Sequence, residues 1–355
     1  MKIVAVETFP IKLSYILPPK LVFGEFTAAN HLLITVKTDD GLIGYGYAAP
    51  NPTISGESQA SASWVLARFA EALVGYEVFN LEGLHQEMNQ IVRGNLNAKA
   101  ALEMAFLDLL GKYAKTPVCN LLGGRLRDAV RTTRVVPLGP PETMRRVSLR
   151  FREEGYTAVK LKMDGSIDTD VQRVKAVRTS VGRDLWITVD ANMAYTPKKA
   201  INLLKRLQPY EVDMVEQPIP AEDLEGLAQV SQASSIPILA DESVVSPSDA
   251  YRLAKAGAVD AMSLKIPKMG GILPAKRVAA ICEAADIQCL VGTKPGGMLT
   301  DAAHAHLIAS TPNLDLPCEV GEFVNMKNDP AHGLKIEMGL LKVPTAPGLG
   351  VQVRL

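Results

Sequence analysis

The first 50 residues alternate between apolar and polar side chains, and this pattern predicts an antiparallel meander. Residues 31–38 form a β-rich run, and the Asp-Asp-Gly at 39–41 predicts a turn into a second strand at 42–47. A helical pattern follows, with apolar side chains at intervals of three and four through residues 102–113. Residues 1–125 are therefore predicted to form a small α+β domain.

Beyond about residue 130, short β-branched segments alternate with helical ones. The charged residues that end successive predicted strands lie 24 to 28 residues apart, the length of one strand, one helix and two short loops. Such a repeat predicts parallel strands with right-handed crossovers, and this many units favours closure into a (β/α) barrel over an open doubly wound sheet. The barrel is predicted to span residues 126–330, and residues 331–355 are expected to pack back on the first domain. The predicted strands are residues 158–162, 186–190, 213–216, 236–241, 261–266, 287–291 and 314–319.

Composition and charge are those of an ordinary globular protein. Of the 355 residues, 47% are hydrophobic and 21% charged, and 38 basic side chains balance 38 acidic ones. This excludes a disordered or fibrous chain and gives no electrostatic reason to expect nucleic acid or an anionic membrane as partner. No apolar run approaches the roughly 20 residues of a membrane helix, and Glu7 interrupts the first apolar run, so a cytoplasmic protein is expected. The four cysteines are scattered and are predicted to be buried thiols, not a disulfide framework or zinc site.

Charged side chains stand at the C-terminal end of five successive predicted strands, where the catalytic groups of a barrel belong. One such residue alone is a solvated charge or a salt bridge, but five brought together must compensate one another or bind an ion. Carboxylates end three adjacent strands, and a divalent cation would remove their repulsion. All-oxygen ligation favours Mg²⁺ over zinc. The predicted ligands are Asp190, Glu216 and Asp241, with Asn192 or Glu242 in support.

Lysines end the other two strands. Lys160 and Lys162 share one face of their strand, because side chains repeat every two residues, and Lys265 comes from the opposite side of the barrel. Nearby positive charges lower the pKa of a lysine, so that it can act as a neutral base near pH 7. Two lysines facing each other across a carboxylate substrate can take a proton from one face of its α-carbon and return it to either, while the metal stabilises the enolate.

The strand-end motifs occur together with one in the predicted capping region: Asn-Leu-Leu-Gly-Gly at 120–124, Lys160-x-Lys162, Asp190-x-Asn192, Glu216-Gln217-Pro218, Asp241-Glu242-Ser243 and Lys265. This combination resembles the enolase superfamily, in its muconate lactonizing enzyme (muconate cycloisomerase) subgroup, over nearly the whole chain. The resemblance implies a modified (β/α)₇β TIM barrel with an N-terminal α+β capping domain, and Mg²⁺ or alternatively Mn²⁺ on the three carboxylates. It implies Lys162 and Lys265 as the acid/base pair, with Lys160 supporting Lys162 and the substrate carboxylate. It also implies a homo-oligomer, from dimer to octamer.

The resemblance further implies that two capping loops, about residues 16–24 and 50–57, and the last two strands contact the substrate. After Gly-Gly-Met, relatives often carry Glu-Ser or Glu-Gly, whereas this chain has Thr-Asp at 300–301. A glutamate at 319 resembles muconate cycloisomerases, and the Asp-x-Asp of dipeptide epimerases is missing there. For two of the residues predicted below to bind substrate there is an alternative interpretation: Phe23 is an aromatic residue at a strand edge, and Lys294 is a surface lysine. The predicted substrate-binding residues are Phe23, Lys294, Met298, Asp301 and Glu319.

The predicted activity is a Mg²⁺-dependent isomerase that removes the α-proton of a small carboxylate. Cycloisomerisation and the racemisation or epimerisation of an amino-acid derivative pass through the same enolate, so the overall reaction stays open. Dipeptide epimerisation and dehydration or β-elimination are alternatives within the family. The alternative outside it is an aldolase with a Schiff base on Lys265, and the three carboxylates argue against it because that chemistry needs no metal.

Overall fold

The N-terminal part of the protein combines an antiparallel sheet with helices. The computed structural model describes residues 1–21, 24–292 and 296–354. The elements of this part are β1 (Ile3–Tyr15), β2 (Lys20–Leu21), β3 (Gly24–Glu25), β4 (Ala28–Thr38), β5 (Ile43–Ala48), α1 (Pro52–Ser55), α2 (Gln59–Leu73), α3 (Leu81–Ile91), α4 (Leu96–Tyr113) and α5 (Val118–Leu121).

Strands and helices then alternate through the middle of the chain. In order they are β6 (Ala129–Arg131), β7 (Thr133–Val136), α6 (Pro141–Glu153), β8 (Ala158–Lys162), α7 (Ile167–Val181), β9 (Trp186–Asp190), α8 (Pro197–Leu207), β10 (Met214–Glu216), α9 (Leu224–Gln232), β11 (Ile238–Ala240), α10 (Pro247–Ala256), β12 (Ala261–Leu264), α11 (Ile266–Met269), α12 (Ile272–Ala284), β13 (Gln288–Val291) and α13 (Gly297–Ala309). Short 3₁₀ turns follow at Gln208–Tyr210, after α8, and at Glu322–Asn325.

The last part of the chain contains short strands that return to the earlier sheets. They are β14 (Met326–Lys327), β15 (Ala331–His332), β16 (Ile336–Glu337), β17 (Leu340–Lys342) and β18 (Gln352–Val353). β14 pairs with β1, which gives the capping sheet the order β14-β1-β4-β5, and β17 pairs with β6.

Seven parallel strands, from β7 to β13 in chain order, form the barrel wall. The chain closes the gap between the two edges at residues 318 and 319. There the N–H of Cys318 donates to Arg131 O, its carbonyl accepts from Thr133 N, and the N–H of Glu319 donates to Val291 O. The predicted fold class, a (β/α)₇β barrel with an α+β capping domain, is confirmed.

The predicted barrel strands agree with the structure to within two residues at each end, except for the last one. β8 and β9 have the predicted bounds. The strand predicted at 314–319 was wrong in extent, because the structure forms only a single bridge there, between Cys318 and Thr132. Pro317 lacks the N–H that a longer ladder would need.

Helix α4 joins the capping domain to the barrel. It is apolar on most sides and almost entirely buried, which is the pattern of a helix packed on several faces. Strand β5 lies directly against it at Gly44 and Gly46, where an added Cβ would overlap the carbonyl oxygens of Ala105 and Ala101. This close packing fixes the position of α4, whose N-terminal end reaches the mouth of the barrel.

The end of the chain contacts the capping helices. Gly348 O accepts from Val118 N at 3.0 Å, and Asp108 Oδ1 accepts from Leu349 N at 2.9 Å. Because β14 also joins the capping sheet, the boundaries proposed at 125 and 330 remain predictions. All four cysteines are free and buried, as expected. Among the described residues, no helix has the length and apolarity to cross a membrane.

Candidate active site

The C-terminal ends of β8 to β12 meet at one mouth of the barrel. The strand register places Lys162 beside Asp190, and Asp190 beside Glu216. Asp190, Glu216 and Asp241 are at most 3% exposed. Parallel pairing therefore turns residues that are far apart in sequence into one buried cluster of charges.

Lys160 and Lys162 both point into this cluster. Lys162 Nζ lies 2.6 Å from Asp190 Oδ2 and 2.9 Å from Asn192 Oδ1. Lys160 Nζ lies 2.6 Å from Glu319 Oε2, and 3.2 Å from both Asp190 Oδ2 and Glu216 Oε2. Glu319 thus reaches this lysine from the point where the chain closes the barrel wall, between β13 and β7.

Lys265 approaches from the other side and pairs with Asp241. A fourth lysine, which the sequence analysis missed, holds the same carboxylate: Lys268 Nζ lies 2.7 Å from Asp241 Oδ1 and from Asp241 O, and 3.0 Å from Ser263 O. Its signal was its place three residues after Lys265, on the same side of the short helix α11. The site consequently contains a lysine pair on each side.

Buried carboxylates compete for these cations, and their pKa values diverge. Burial and the nearby charge of Asp190 raise the pKa of Glu216 well above its usual range, although Lys160 opposes them. Burial would also raise the pKa of Asp190, but Lys162 and Lys160 lower it to about 2. Burial and the charge of Asp241 raise the pKa of Glu242 to about 7.

The donor atoms of the cluster fit a divalent cation. Like charges crowd Glu216, and Glu242 Oε2 is buried without a hydrogen-bond partner among the described residues. Within the described ranges no three acidic, histidine or cysteine side chains converge on one point, because the carboxylates are turned toward lysines. A set of buried, mutually repelling oxygen ligands is suited to Mg²⁺, which would relieve the repulsion.

Gln217 fixes the carboxylate-bearing strand ends relative to one another. Its Oε1 accepts from Asp241 N at 3.0 Å and Ser243 N at 3.1 Å, and its Nε2 donates to Ser243 Oγ at 2.8 Å and Ile219 O at 3.0 Å. Its φ of 35° lies in the left-handed region, as does the φ of 41° at Asn192. Backbone strain of this kind persists only where surrounding contacts enforce it, and it is frequent at functional sites.

A cavity of about 370 Å³ opens above the cluster, between barrel and capping domain. Seven predicted site residues line it: Lys160, Lys162, Asn192, Asp241, Glu242, Lys265 and Glu319. The capping domain contributes Tyr15, Pro19, Phe26, Ile54 and Glu57. Pro19, Ile54 and Glu57 lie in the two predicted loops, and Tyr15 and Phe26 flank the first loop. Sequence reasoning missed Glu57 as a site residue, since an isolated carboxylate beside a helix start carries no chemical signature.

Two predicted substrate contacts do not reach the cavity. Asp301 is 2% exposed, and its Oδ2 accepts from Phe323 N at 3.1 Å, so this carboxylate anchors the backbone that follows Glu319. The N–H of Met298 donates to Asp329 Oδ2 at 2.7 Å, and its side chain packs against the core. Both residues belong to helix α13, which starts at Gly297 and turns the side chains of Met298 and Asp301 away from the cavity.

The remaining predicted contacts cannot be placed. Phe23 and Lys294 lie outside the described residues.

Two family descriptions match the chain. The mandelate racemase / muconate lactonizing enzyme N-terminal domain matches residues 4–123, and the enolase C-terminal domain-like description matches residues 142–355. Together they cover the capping domain and nearly the whole barrel and tail.

Characterised proteins and a solved structure are similar along the entire chain. The hydrophobic dipeptide epimerase of Enterococcus faecalis is 35% identical, with 99% of this chain and 96% of that protein covered. Muconate cycloisomerase 1 of Rhodococcus opacus is 31% identical, with coverage of 100% and 97%. The structure of the dipeptide epimerase from E. faecalis V583, complexed with Mg and the dipeptide L-Leu-L-Tyr, has a TM-score of 0.96 at 33% identity and 99% coverage of both chains.

Similar curated proteins are thus isomerases: epimerases, racemases and muconate cycloisomerases. With both parts of the chain matched and identities of 31% and 35% over nearly its full length, the chain belongs to the enolase superfamily, in the mandelate racemase and muconate lactonizing enzyme family.

Proposed function

We propose that this chain is an epimerase that inverts the α-carbon of a dipeptide, with Lys162 and Lys265 as its two proton carriers. The observation that carries the proposal is the placement of these lysines, which line one cavity from β8 and from the end of β12. Lysines on opposite sides of a substrate can each serve one face of its α-carbon.

Asp190, Glu216 and Asp241 would hold Mg²⁺, whose charge would compete with Lys265 for Asp241 and offset the negative charge that develops when the α-proton leaves. The neutral form of one lysine takes the proton, and the ammonium of the other donates one of its own protons to the opposite face. Lys160 is the proposed partner of the substrate carboxylate, because it lines the same cavity as the two carrier lysines and its Nζ is held there by Glu319. Apolar side chains above them exclude water from the reacting carbon.

The charges around the cavity support a substrate with no net charge. Among the described residues, five cations face seven carboxylates here. The cations are Lys160, Lys162, Lys265, Lys268 and Arg134, which lies 3.6 Å from Glu322. Counted with every group ionised, this set has a net charge of −2, which one divalent cation would offset. A zwitterionic dipeptide preserves the neutrality, whereas a dicarboxylate adds two negative charges to a buried site. The seven carboxylates are Glu57, Asp190, Glu216, Asp241, Glu242, Glu319 and Glu322.

Glu57 is the proposed acceptor for the substrate ammonium group. Its side chain lines the cavity and is only 9% exposed, and its Oε2 is buried without a hydrogen-bond partner among the described residues. Pro19, Phe26 and Ile54 form an apolar wall on the same side. These features support dipeptides with hydrophobic side chains as the substrates.

The second candidate is a muconate-type cycloisomerase. Glu319 at the last strand and the 31% identity to a muconate cycloisomerase favour it. In the structure, however, Glu319 is the counter-ion of Lys160, which weakens Glu319 as evidence for a particular substrate.

The experiment that tests the proposal is α-proton exchange in D₂O with Mg²⁺, followed by NMR and mass spectrometry. The panel contains hydrophobic dipeptides, the same dipeptides N-acetylated, and cis,cis-muconate. Deuterium uptake with epimer formation on free dipeptides alone is the expected result, and a variant lacking both Lys162 and Lys265 is the inactive control. Lactone formation from muconate, or equal activity on N-acetylated dipeptides, would reject the proposed substrate class. Mn²⁺ in place of Mg²⁺ is expected to support exchange as well.

A further inference from the structure

A glycine stands where the side chain of Lys265 passes the end of β13. Gly292 is buried and directly follows this strand. A Cβ added to Gly292 would lie 2.5 Å from Cε of Lys265 and would overlap the hydroxyl oxygen of Ser263. Carbon atoms in contact normally stand about 3.5 to 4 Å apart, so an alanine here forces the lysine side chain to move.

Backbone conformation does not explain this glycine. Its φ lies outside the left-handed region that glycine alone adopts readily. The backbone is also held on both sides, because Gly292 N donates to Leu264 O at 3.1 Å and the adjacent Val291 O accepts from Glu319 N at 2.7 Å. The strand end cannot retreat from an added methyl group without breaking the barrel wall.

Lys265 is held at its backbone as firmly as Gly292. The next N–H, that of Ile266, donates to Nε2 of the buried His304 at 3.2 Å, and the carbonyl of Lys265 begins the helix α11. From this fixed start the side chain runs past Gly292 to its pairing with Asp241. The missing side chain of Gly292 leaves the space that this path requires.

We propose that Gly292 is a positioning residue for Lys265, and that it controls one of the two proton transfers. This inference rests on the proposed function. It adds that a change at residue 292 impairs the proton transfer by Lys265 without impairing the transfer by Lys162. Lys162 is carried by β8, which is not a hydrogen-bonded neighbour of β13. A methyl group at 292 therefore displaces one proton carrier and leaves the other in place.

The test is Gly292→Ala, assayed for α-deuterium exchange separately on each epimer of the dipeptide that the wild-type protein turns over. Wild-type protein is expected to exchange both epimers. In the variant, exchange from the epimer served by Lys265 should fall about 100-fold, the effect of a reacting group misplaced by about 1 Å. Exchange from the other epimer should change less than about threefold. Lys265→Ala must lose exchange from the same epimer, and an equal loss on both epimers, or none, would overturn the proposal.

Ser263 provides the matched control, because its hydroxyl is the other atom that the new methyl group overlaps. Ser263→Ala alone is expected to leave exchange from both epimers unchanged. The double variant Ser263→Ala/Gly292→Ala should keep the one-sided defect, since the overlap with Lys265 remains. Restored exchange in the double variant would show that the defect passes through Ser263 and would refute the proposal.

A stability measurement tests the contact without using activity. Urea unfolding of Gly292→Ala is compared in the wild-type and Lys265→Ala backgrounds. The loss of stability should be smaller when Lys265 is truncated, because the overlap is then relieved. Equal losses in the two backgrounds would reject the contact. If wild-type protein exchanges no α-proton on the panel, the proposed function fails, while this comparison still decides whether Gly292 constrains Lys265.

Discussion

Lys160 and Lys265 are both buried lysines, yet their surroundings give them different roles. Burial would lower the pKa of Lys160, but Glu216, Glu319 and Asp190 together raise it well above its usual range. Three carboxylates around one Nζ keep this side chain an ammonium group at any working pH. A permanent cation can bind a carboxylate but cannot accept a proton, so Lys160 is suited to substrate binding.

Burial would also lower the pKa of Lys265, but Asp241, Glu216 and Glu319 raise it above its usual range. Mg²⁺ held by Asp241 and Glu216 would offset these negative charges and so make the proton of Lys265 easier to release. Lys265→Ala is expected to lower epimerisation by about 10³-fold, since general acid–base catalysis contributes about 10² to 10⁴. Circular dichroism should be unchanged, because the backbone hydrogen bonds around Lys265 do not involve its side chain. Full turnover by this variant, measured by chiral chromatography of the products, would exclude the two-lysine mechanism.

Glu216 is the carboxylate whose ionised form most needs a cation. Glu216→Gln keeps the shape and removes the charge, so Mg²⁺ affinity measured by calorimetry should fall by about tenfold or more, or 1.4 kcal/mol and above. Glu225→Gln, on the exposed side of α9, is the matched control and should bind as the wild type does. Unchanged affinity in Glu216→Gln would remove this residue from the metal site.

Glu57 allows a test of substrate charge. Glu57→Gln retains the oxygen that accepts from Asn97 N at 3.5 Å, and so preserves the local structure at the start of α4. KM for a free dipeptide is expected to rise about tenfold, because a hydrogen bond to a charged group contributes about 1.5 to 3 kcal/mol. The same rise for a substrate without an ammonium group would contradict the assignment.

At the scale of elements, the loops after the strands are held by side chains that carry no catalytic charge. Gln217 alone satisfies two backbone N–H groups around Asp241. Gln217→Ala should reduce the free energy of unfolding by about 2 to 4 kcal/mol, because it leaves buried donors without acceptors. Urea unfolding measures this, with Gln172→Ala on the exposed face of α7 as control. A loss no larger than that of the control would show that water replaces the amide.

The same elements show how far sequence reasoning reaches. Strands β8 and β9 were predicted with correct bounds, because β-branched runs that end in charge are unlike any helical pattern. The site lysines and carboxylates follow from those bounds and from parallel pairing. Asp301 does not line the cavity, because its carboxylate accepts from Phe323 N, and a loop sequence does not reveal that a helix starts at Gly297 and turns this side chain inward. Contacts such as that of Glu57 with the cavity join distant segments and leave no local pattern.

At the scale of the whole molecule, His306 joins three parts of the chain. Its Nδ1 accepts from Cys119 N at 3.3 Å, and Nε2 lies 3.2 Å from Leu349 O, to which it donates. Helix α13, the capping segment and the tail therefore meet at one neutral imidazole. Burial lowers the pKa of His306 to about 4.

This histidine predicts a loss of stability in acid. Between its usual pKa near 6.5 and the folded value of about 4, the unfolded chain binds a proton that the folded protein does not. Stability should therefore fall as the pH drops through this window, by on the order of 3 kcal/mol from this group. Urea unfolding between pH 7 and 4 checks this, and His306→Gln should make the dependence shallower by about this amount. The rest remains because burial also lowers the pKa of His304, to about 3. An equally steep dependence in the variant would assign the effect to other groups.

The pairing of β1 with β14 has a consequence for synthesis of the protein. Ser14 and Tyr15 pair with Lys327 and Met326, so the capping sheet acquires its last strand only after the barrel strands have left the ribosome. Until then the C-terminal end of β1, at Ser14 and Tyr15, lacks this partner beside the loop that reaches the cavity. A nascent chain thus exposes an unpaired strand edge for most of its translation, and chaperone demand should peak before residue 326 emerges.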